Sequence, residues 1–199
     1  RDLRTRPDHA MLPTLAGQLP LTEPMDQEQI ERIDAASLDI LEEVGVVFRD
    51  DIALQDWRKA GADVRGERVH LDRELVKSLI KTIPSEITLH ARNPEKTVAL
   101  GGRQSIFIPM TGAPYLRDLE DVRRAPTLDD LATFHKLAHM LPAMHSSAHH
   151  IVEPMDHPIS HRHLRITHSS MLYSDKTFMG MTTSGQNAED VLDMCAILF

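Results

Sequence analysis

Apolar positions along the chain follow two spacings, and the change from one to the other marks out its elements. Over residues 26–44, Ile30, Ile33, Ser37, Ile40, Leu41 and Val44 share one face at helical spacing, Asp26 and Gln29 stand as a capping pair, and Gly45 supplies a stop. A second helix is predicted over 51–60, with Ile52, Leu54 and Trp57 packed inward and Gly61 beyond it. A short strand at 68–71 leads to a third helix, capped by Asp72, striped by Leu75, Val76, Leu79, Ile80 and Ile83, and terminated by Pro84. Then Ile87, Leu89 and Ala91 alternate with Thr88, His90 and Arg92, the period of a half-buried strand, and 96–100 reads as its hairpin partner between Asn93–Pro94 and Gly101–Gly102. Residues 25–102 are therefore expected to form an α+β cap. Residues 1–24, with Pro7, Pro13, Pro20 and Pro24 and no period, read as an extended arm.

From residue 103 the pattern changes to alternating strand and helix: strand 105–110, helix 128–141, strand 143–148, helix 160–173, strand 177–182. Thr127 and Asp130 form a capping pair for the first of these helices, and Leu128, Leu131, Phe134, Ala138 and Leu141 its stripe. A strand recurring every 35 to 40 residues or so is what parallel βαβ units require. The fold class is thus α/β, a barrel or a doubly wound sheet, with function expected just past the carboxyl ends of the strands, at 111–115, 149–158 and 183–187. The chain starts at Arg1 and stops within a predicted helix at Ala196, Ile197, Leu198 and Phe199, with no Gly, Asn or Pro to end it, so a piece of a longer protein is expected, inactive alone.

Composition narrows the class. No apolar run approaches the roughly 18 residues that span a bilayer, and Arg1, Arg4 and Arg6 are followed by no signal-type apolar segment, so neither a membrane nor export is expected and the location is read as cytoplasmic. A net charge of −8 argues against nucleic acid as a partner. The single Cys195 excludes an internal disulfide framework and reads as a packing residue.

Candidate chemistry gathers at the predicted strand ends. Gly112 and Pro114 allow a tight turn that aims Tyr115 into the mouth, although Tyr115 could equally pack beneath a loop. Seven of the twelve histidines lie between His145 and His168. His145, Ser147 and His149 share a strand face, which puts His149 at the carboxyl end, where it or His150 can donate a hydrogen bond to a small charged ligand. Zinc needs three or four converging ligands, and the spaced pair His161 and His163 opens a helix instead of closing a strand; His135 and His139 fall on the outer ring of helices. A metal-dependent barrel hydrolase using the histidine cluster is the alternative enzyme class, and a non-catalytic ligand-binding module a third. His157, His161, His163 and His168 read as surface or supporting residues. Thr183, Ser184 and Gly185 offer either an anion site or an ordinary helix cap. There is no phosphate loop and no nucleophile elbow.

A succession of short motifs carries a resemblance: 38–46 (LDILEEVGV), 73–84, 89–94 (LHARNP), Gly112 to Tyr115 with Asp118, 154–158 (PMDHP), and Asp175 with Lys176. In this order, over about residues 26–199, the chain resembles the amino-terminal part of the trimethylamine methyltransferase (MttB) family. The resemblance implies a partial TIM (β/α)8 barrel comprising the first three βα units. It implies methyl transfer from a methylated or quaternary amine, of trimethylamine or glycine betaine type, to a corrinoid (cobalamin) carried by a partner protein, with no directly bound cofactor and no metal. A homo-oligomer is expected as well. Such a cation is held by aromatic faces and a carboxylate, which makes Tyr115 and Glu153 candidates beside His149, His150 and Thr183; aromatic residues are only 4% of the chain.

Overall fold

The computed structural model describes residues 10–18, 20, 22–180 and 183–199. The chain forms two compact units: residues 18–85 make one, and residues 86–199 with the stretch ending at Gly17 make the other. In that stretch β1 (Leu15–Ala16) pairs antiparallel with residues 104–105, and the Leu12 amide donates to the Pro142 carbonyl at 2.9 Å, so this part of the predicted arm is tied down by backbone hydrogen bonds. Residues 1–9, Leu19 and Leu21 of that arm lie outside the described residues.

In the unit of residues 18–85, α1 (Gln27–Asp39) starts with the expected capping box: Asp26 accepts from the Gln29 amide at 2.8 Å and Gln29 accepts from the Asp26 amide at 3.1 Å. The predicted helix does not stay α-helical to residue 44, because Ile40–Val44 widens into a π-turn. The wider turn frees two carbonyls: Leu41 accepts from the Leu71 amide at 3.0 Å and Glu42 from His70 Nδ1 at 2.8 Å. Gly45 ends the turn at φ +71°, and a Cβ there would stand 2.6 Å from the Val69 carbonyl oxygen, so only glycine fits. A three-stranded antiparallel sheet follows, in the order β2 (Val46–Val47), β4 (Arg68–His70), β3 (Asp63–Arg65), with α2 (Asp51–Lys59) between β2 and β3 in the chain. Of these only β4 is predicted from the sequence, the others being too short for a pattern. Buried Leu54, Val69 and Leu71 form the core, with Phe48, Trp57 and Val76 packed against it; α3 (Arg73–Ile80) is capped by Asp72 as expected.

In the second unit, β5 (Glu86–Leu89) and β6 (Val98–Gly101) form the predicted antiparallel hairpin, and β7 (Gln104–Ser105) receives β1. A small hairpin of β8 (Leu116–Arg117) and β9 (Arg123–Arg124) precedes α4 (Leu128–Met140), followed by α5 (Ile159–Tyr173) and α6 (Gly185–Leu198). The start of α4 is doubly fixed, by the Thr127–Asp130 capping box and by a two-pronged Arg124–Asp130 contact at 2.6 and 2.7 Å. Leu131 and Ala138 of α4, Ile166 of α5, and Ala148, Ile151 and Val152 between them form one buried apolar cluster.

The three predicted barrel strands run side by side without forming continuous ladders. The His145 amide donates to the Phe107 carbonyl at 2.8 Å, and the Ser147 amide to that of Thr177 at 2.9 Å; single parallel bridges join Ser146 to Thr177 and Ala113 to Val152. Side chains take the ladder's remaining hydrogen bonds: His145 Nδ1 accepts from the Phe107 amide, the Ser146 and Ser147 hydroxyls donate to the Thr177 carbonyl, and Thr177 Oγ1 donates to that of His145. Ala148 then adopts φ +55° and breaks the pleat. Among the described residues the architecture is a mixed α/β fold with small sheets and no closed barrel; Met181 and Thr182 of the third predicted strand lie outside them. No described helix is long and apolar enough to cross a membrane.

Lys176 locks these pieces together. The side chain is buried, and its ammonium donates to the carbonyls of Ala138, Leu141 and Met144 at 2.8, 2.8 and 2.7 Å. All three N–H donors are matched, and the carboxyl end of α4, where the helix dipole is negative, receives a cation. Burial draws the Lys176 pKa down to about 8, which leaves it charged at neutral pH. Next to it Asp175 accepts from Lys96 Nζ at 2.6 Å and stands 3.2 Å from His139 Nδ1, while its carbonyl accepts from the Asn93 amide at 3.0 Å. Residues 92–96 are thereby clipped to 174–176. Replacing Lys176 with Met orphans three carbonyls and is expected to cost about 3 kcal/mol or more in urea unfolding, whereas Lys59→Met, at an exposed pair, leaves the midpoint in place.

Candidate functional site

The ends of the first two parallel stretches interleave. The Gly112 amide donates to the His150 carbonyl at 2.7 Å, and the Glu153 amide to that of Ala113 at 3.0 Å. Gly112 sits at φ +79°, and a Cβ on it would lie 3.5 Å from His150 Nε2, so that imidazole edge stands directly beside a residue without a side chain. After the left-handed Ala148, His149 turns inward and is 2% exposed; its Nδ1 lies 3.1 Å from His150 Nδ1, with the two rings edge to face. On its other side His149 Nε2 is 3.4 Å from Thr167 Oγ1 of α5.

His135 of α4 completes the array from behind. Its Nε2 is 2.7 Å from the His149 carbonyl oxygen, which can only accept, so Nε2 carries the proton and Nδ1 accepts from the Ser169 hydroxyl at 2.9 Å. His163 of α5 is buried too; its Nε2 contacts Asp190 of α6 at 2.7 Å, while its Nδ1 has no hydrogen-bond partner among the described residues. Burial holds the His149 pKa down at about 3, assisted by the neighbouring His150, His135 and His163; burial also lowers that of His135, against the opposing carbonyl bond. Both are neutral imidazoles at physiological pH.

The other candidates have partners of their own. Glu153 accepts from Arg162 Nη1 at 2.7 Å, both side chains being largely buried, and Arg162 also donates to the His157 carbonyl. Tyr115 is half exposed at the base of the β8–β9 hairpin, with the Arg123 guanidinium carbon 4.0 Å from its ring centre. Thr183 is exposed and accepts from Asn187 Nδ2 at 2.7 Å, beside Ser184, which caps α6. The structure therefore brings His149 and His150 together, while the two groups best suited to a cation, Tyr115 and Glu153, each face an arginine.

Sequence reasoning missed His135, Thr167 and Arg162. His135, expected on the outer ring of helices, is fully buried. A signal was present, since it shares a helical face with Leu131 and Ala138, the buried side of α4. Among the described residues no three His, Cys, Asp or Glu side chains converge as metal ligands do. The histidines are engaged with one another and with hydroxyls, carbonyls and a carboxylate, an arrangement that does not favour the hydrolase reading.

Acid stability follows from the two buried imidazoles. On unfolding below their ordinary value of 6.5 they take up protons that the folded state refuses, so the stability present above pH 6.5 is lost as pH falls toward about 3, the value of His149. Each such proton contributes a slope of about 1.4 kcal/mol per pH unit. Urea unfolding between pH 7 and pH 4 is expected to show this slope, and His149→Gln to flatten it by about one proton.

These residues sit in a chain with clear relatives. The family model for trimethylamine methyltransferase (MTTB) matches residues 1–199. The glycine betaine methyltransferase of Desulfitobacterium hafniense (strain Y51) is 43% identical over 184 residues, 92% of this chain and 38% of that protein. The trimethylamine methyltransferase MttB of Desulfitobacterium hafniense (strain DSM 10664 / DCB-2) is 25% identical over 176 residues, 85% of this chain and 34% of that protein. The proline betaine:corrinoid methyltransferase of Eubacterium limosum is 32% identical over 112 residues, 54% of this chain and 22% of that protein. The chain spans at most 38% of the length of these relatives and corresponds to their amino-terminal part. With a family model matched from its first residue to its last, the chain belongs to the trimethylamine methyltransferase (MTTB) family.

Proposed function

We propose that the protein of which this chain forms the amino-terminal part transfers a methyl group from a quaternary amine of the betaine class to a corrinoid carried by a partner protein. The observation that carries this reading is the 43% identity to a glycine betaine methyltransferase over 92% of the chain. In this reading the three parallel stretches are the first βα units of a TIM barrel, residues 25–102 are the α+β segment that precedes them in the chain and residues 1–24 an arm.

The chemistry suits the residues. A quaternary ammonium leaves as a neutral tertiary amine, so no proton need move at the reacting carbon, and the protein's task is to bind, orient and exclude water. The corrinoid supplies the electron pair that accepts the methyl. The neutral, buried His149 and His135 provide a rigid, uncharged wall and place no cation deep behind a cationic substrate. His150, half-buried at the carboxyl end, is the proposed contact. Tyr115, Glu153 and Thr183 are the further substrate-binding candidates. Because Arg123 and Arg162 occupy Tyr115 and Glu153, the aromatic cage for the ammonium falls to the later part of the protein.

The test uses the complete protein with cob(I)alamin and a panel of glycine betaine, proline betaine, trimethylamine and tetramethylammonium. Methylation of the corrinoid, read by its absorbance, is expected with glycine betaine and with stoichiometric release of dimethylglycine. No methylation with any of the four overturns the reading.

A further inference from the structure

We propose that His150, set in place by His149, receives the carboxylate of a betaine substrate and thereby selects betaines over quaternary amines that lack a carboxylate. The proposal rests on the methyltransferase reading and adds to it the second end of the substrate. A betaine presents an ammonium with no hydrogen-bond donor and, a few bonds away, a carboxylate that demands donors. A site that buries this carboxylate without supplying an N–H incurs the full cost of an unsatisfied charge.

Among the charged and imidazole groups at the carboxyl ends described above, few donors are uncommitted. Arg162 directs Nη1 at Glu153 and its Nε and Nη2 at the His157 carbonyl. The His149 nitrogens face His150 and Thr167. His135 is committed at both nitrogens. His150 differs: Nδ1 is held by His149 at 3.1 Å, while Nε2, 3.5 Å from where a Cβ on Gly112 would stand, has no hydrogen-bond partner among the described residues.

The histidine pair also disposes His150 to donate. Two Nδ1 atoms at 3.1 Å share one proton between them. With that proton on His149, a neutral His150 carries its own on Nε2. With it on His150, Nε2 is an acceptor and repels a carboxylate, so an anion before Nε2 favours the first arrangement. In the arrangement that the anion selects, the nitrogen facing it is an N–H. His149 acts as a positioning residue: buried and neutral, it orients the His150 ring and shares its proton, and it touches no ligand.

The experiment compares kcat/KM for glycine betaine and for tetramethylammonium in the complete protein, wild type against His150→Gln, with His150→Asn as the second variant should the first fold poorly and Arg123→Gln as the competing cation. His150→Gln is expected to raise KM for glycine betaine about tenfold or more with little change in kcat, and to leave tetramethylammonium within about twofold. His149→Gln is expected to raise KM for glycine betaine with kcat little changed, and with no matching rise for tetramethylammonium. An unchanged betaine preference in both His150 variants, an equal loss for both substrates, or a preference abolished by Arg123→Gln instead overturns the proposal while leaving the methyltransferase reading intact. Wild-type protein that turns over neither amine removes that reading itself.

Discussion

A single ammonium group, that of Lys176, holds the carboxyl-terminal unit in register. Its three N–H bonds end on Ala138, Leu141 and Met144, the carbonyls that the end of α4 and the turn after it leave unpaired. The second parallel stretch begins one residue later, and the third begins at Thr177, directly after Lys176. The carbonyl of Thr177 takes the hydrogen bonds of Ser146 and Ser147, and two residues beyond Ser147 comes His149. A buried cation is tolerated only where dipoles surround it completely, and here the surrounding carbonyls belong to the segments that must be aligned. The position of the histidine pair is inherited from that alignment.

The same economy shapes the interior around the histidines. His135, His149 and His163 are buried, and each is tied to a group fixed by the fold: a carbonyl and a hydroxyl for His135, a hydroxyl for His149, a carboxylate for His163. The neutral imidazoles of His135 and His149 can fill such space because each can donate at one nitrogen and accept at the other. For the proposed transfer from a cationic donor, an uncharged polar wall is what the reaction tolerates, since neither acid nor base assists the departure of a tertiary amine.

Much of the local structure was legible because it depends on neighbours in sequence. The capping boxes at Asp26–Gln29 and Thr127–Asp130, the stop at Gly45, the stripe of α4 and the hairpin of β5 and β6 all follow from spacing alone. What was not legible depends on distant partners. The π-turn at Ile40–Val44 exists because Leu71 and His70 need carbonyls, and the interrupted ladders exist because Ser146, Ser147 and Thr177 substitute side-chain for backbone hydrogen bonds. At the candidate site, His149 and His150 stand side by side in the chain, but nothing in their spacing tells that Ala148 turns left-handed and delivers His149 to Thr167. The arginines opposite Tyr115 and Glu153 are equally silent in sequence, since a pairing of charge and ring is visible only once the chain has turned.

Ala148 meets two demands that almost no other residue can meet at once. Its φ of +55° is a conformation that penalises any Cβ and excludes β-branched residues, and its methyl group is fully buried in the cluster with Leu131 and Ile166. Glycine relieves the backbone but leaves a void; Asn and Asp tolerate the dihedral but bring a larger, polar side chain into a fully buried apolar site. In a saturation library the position directly before the histidine pair is therefore confined to a two-letter alphabet, and drift of sequence at this edge of the fold has to proceed around Ala148 and not through it.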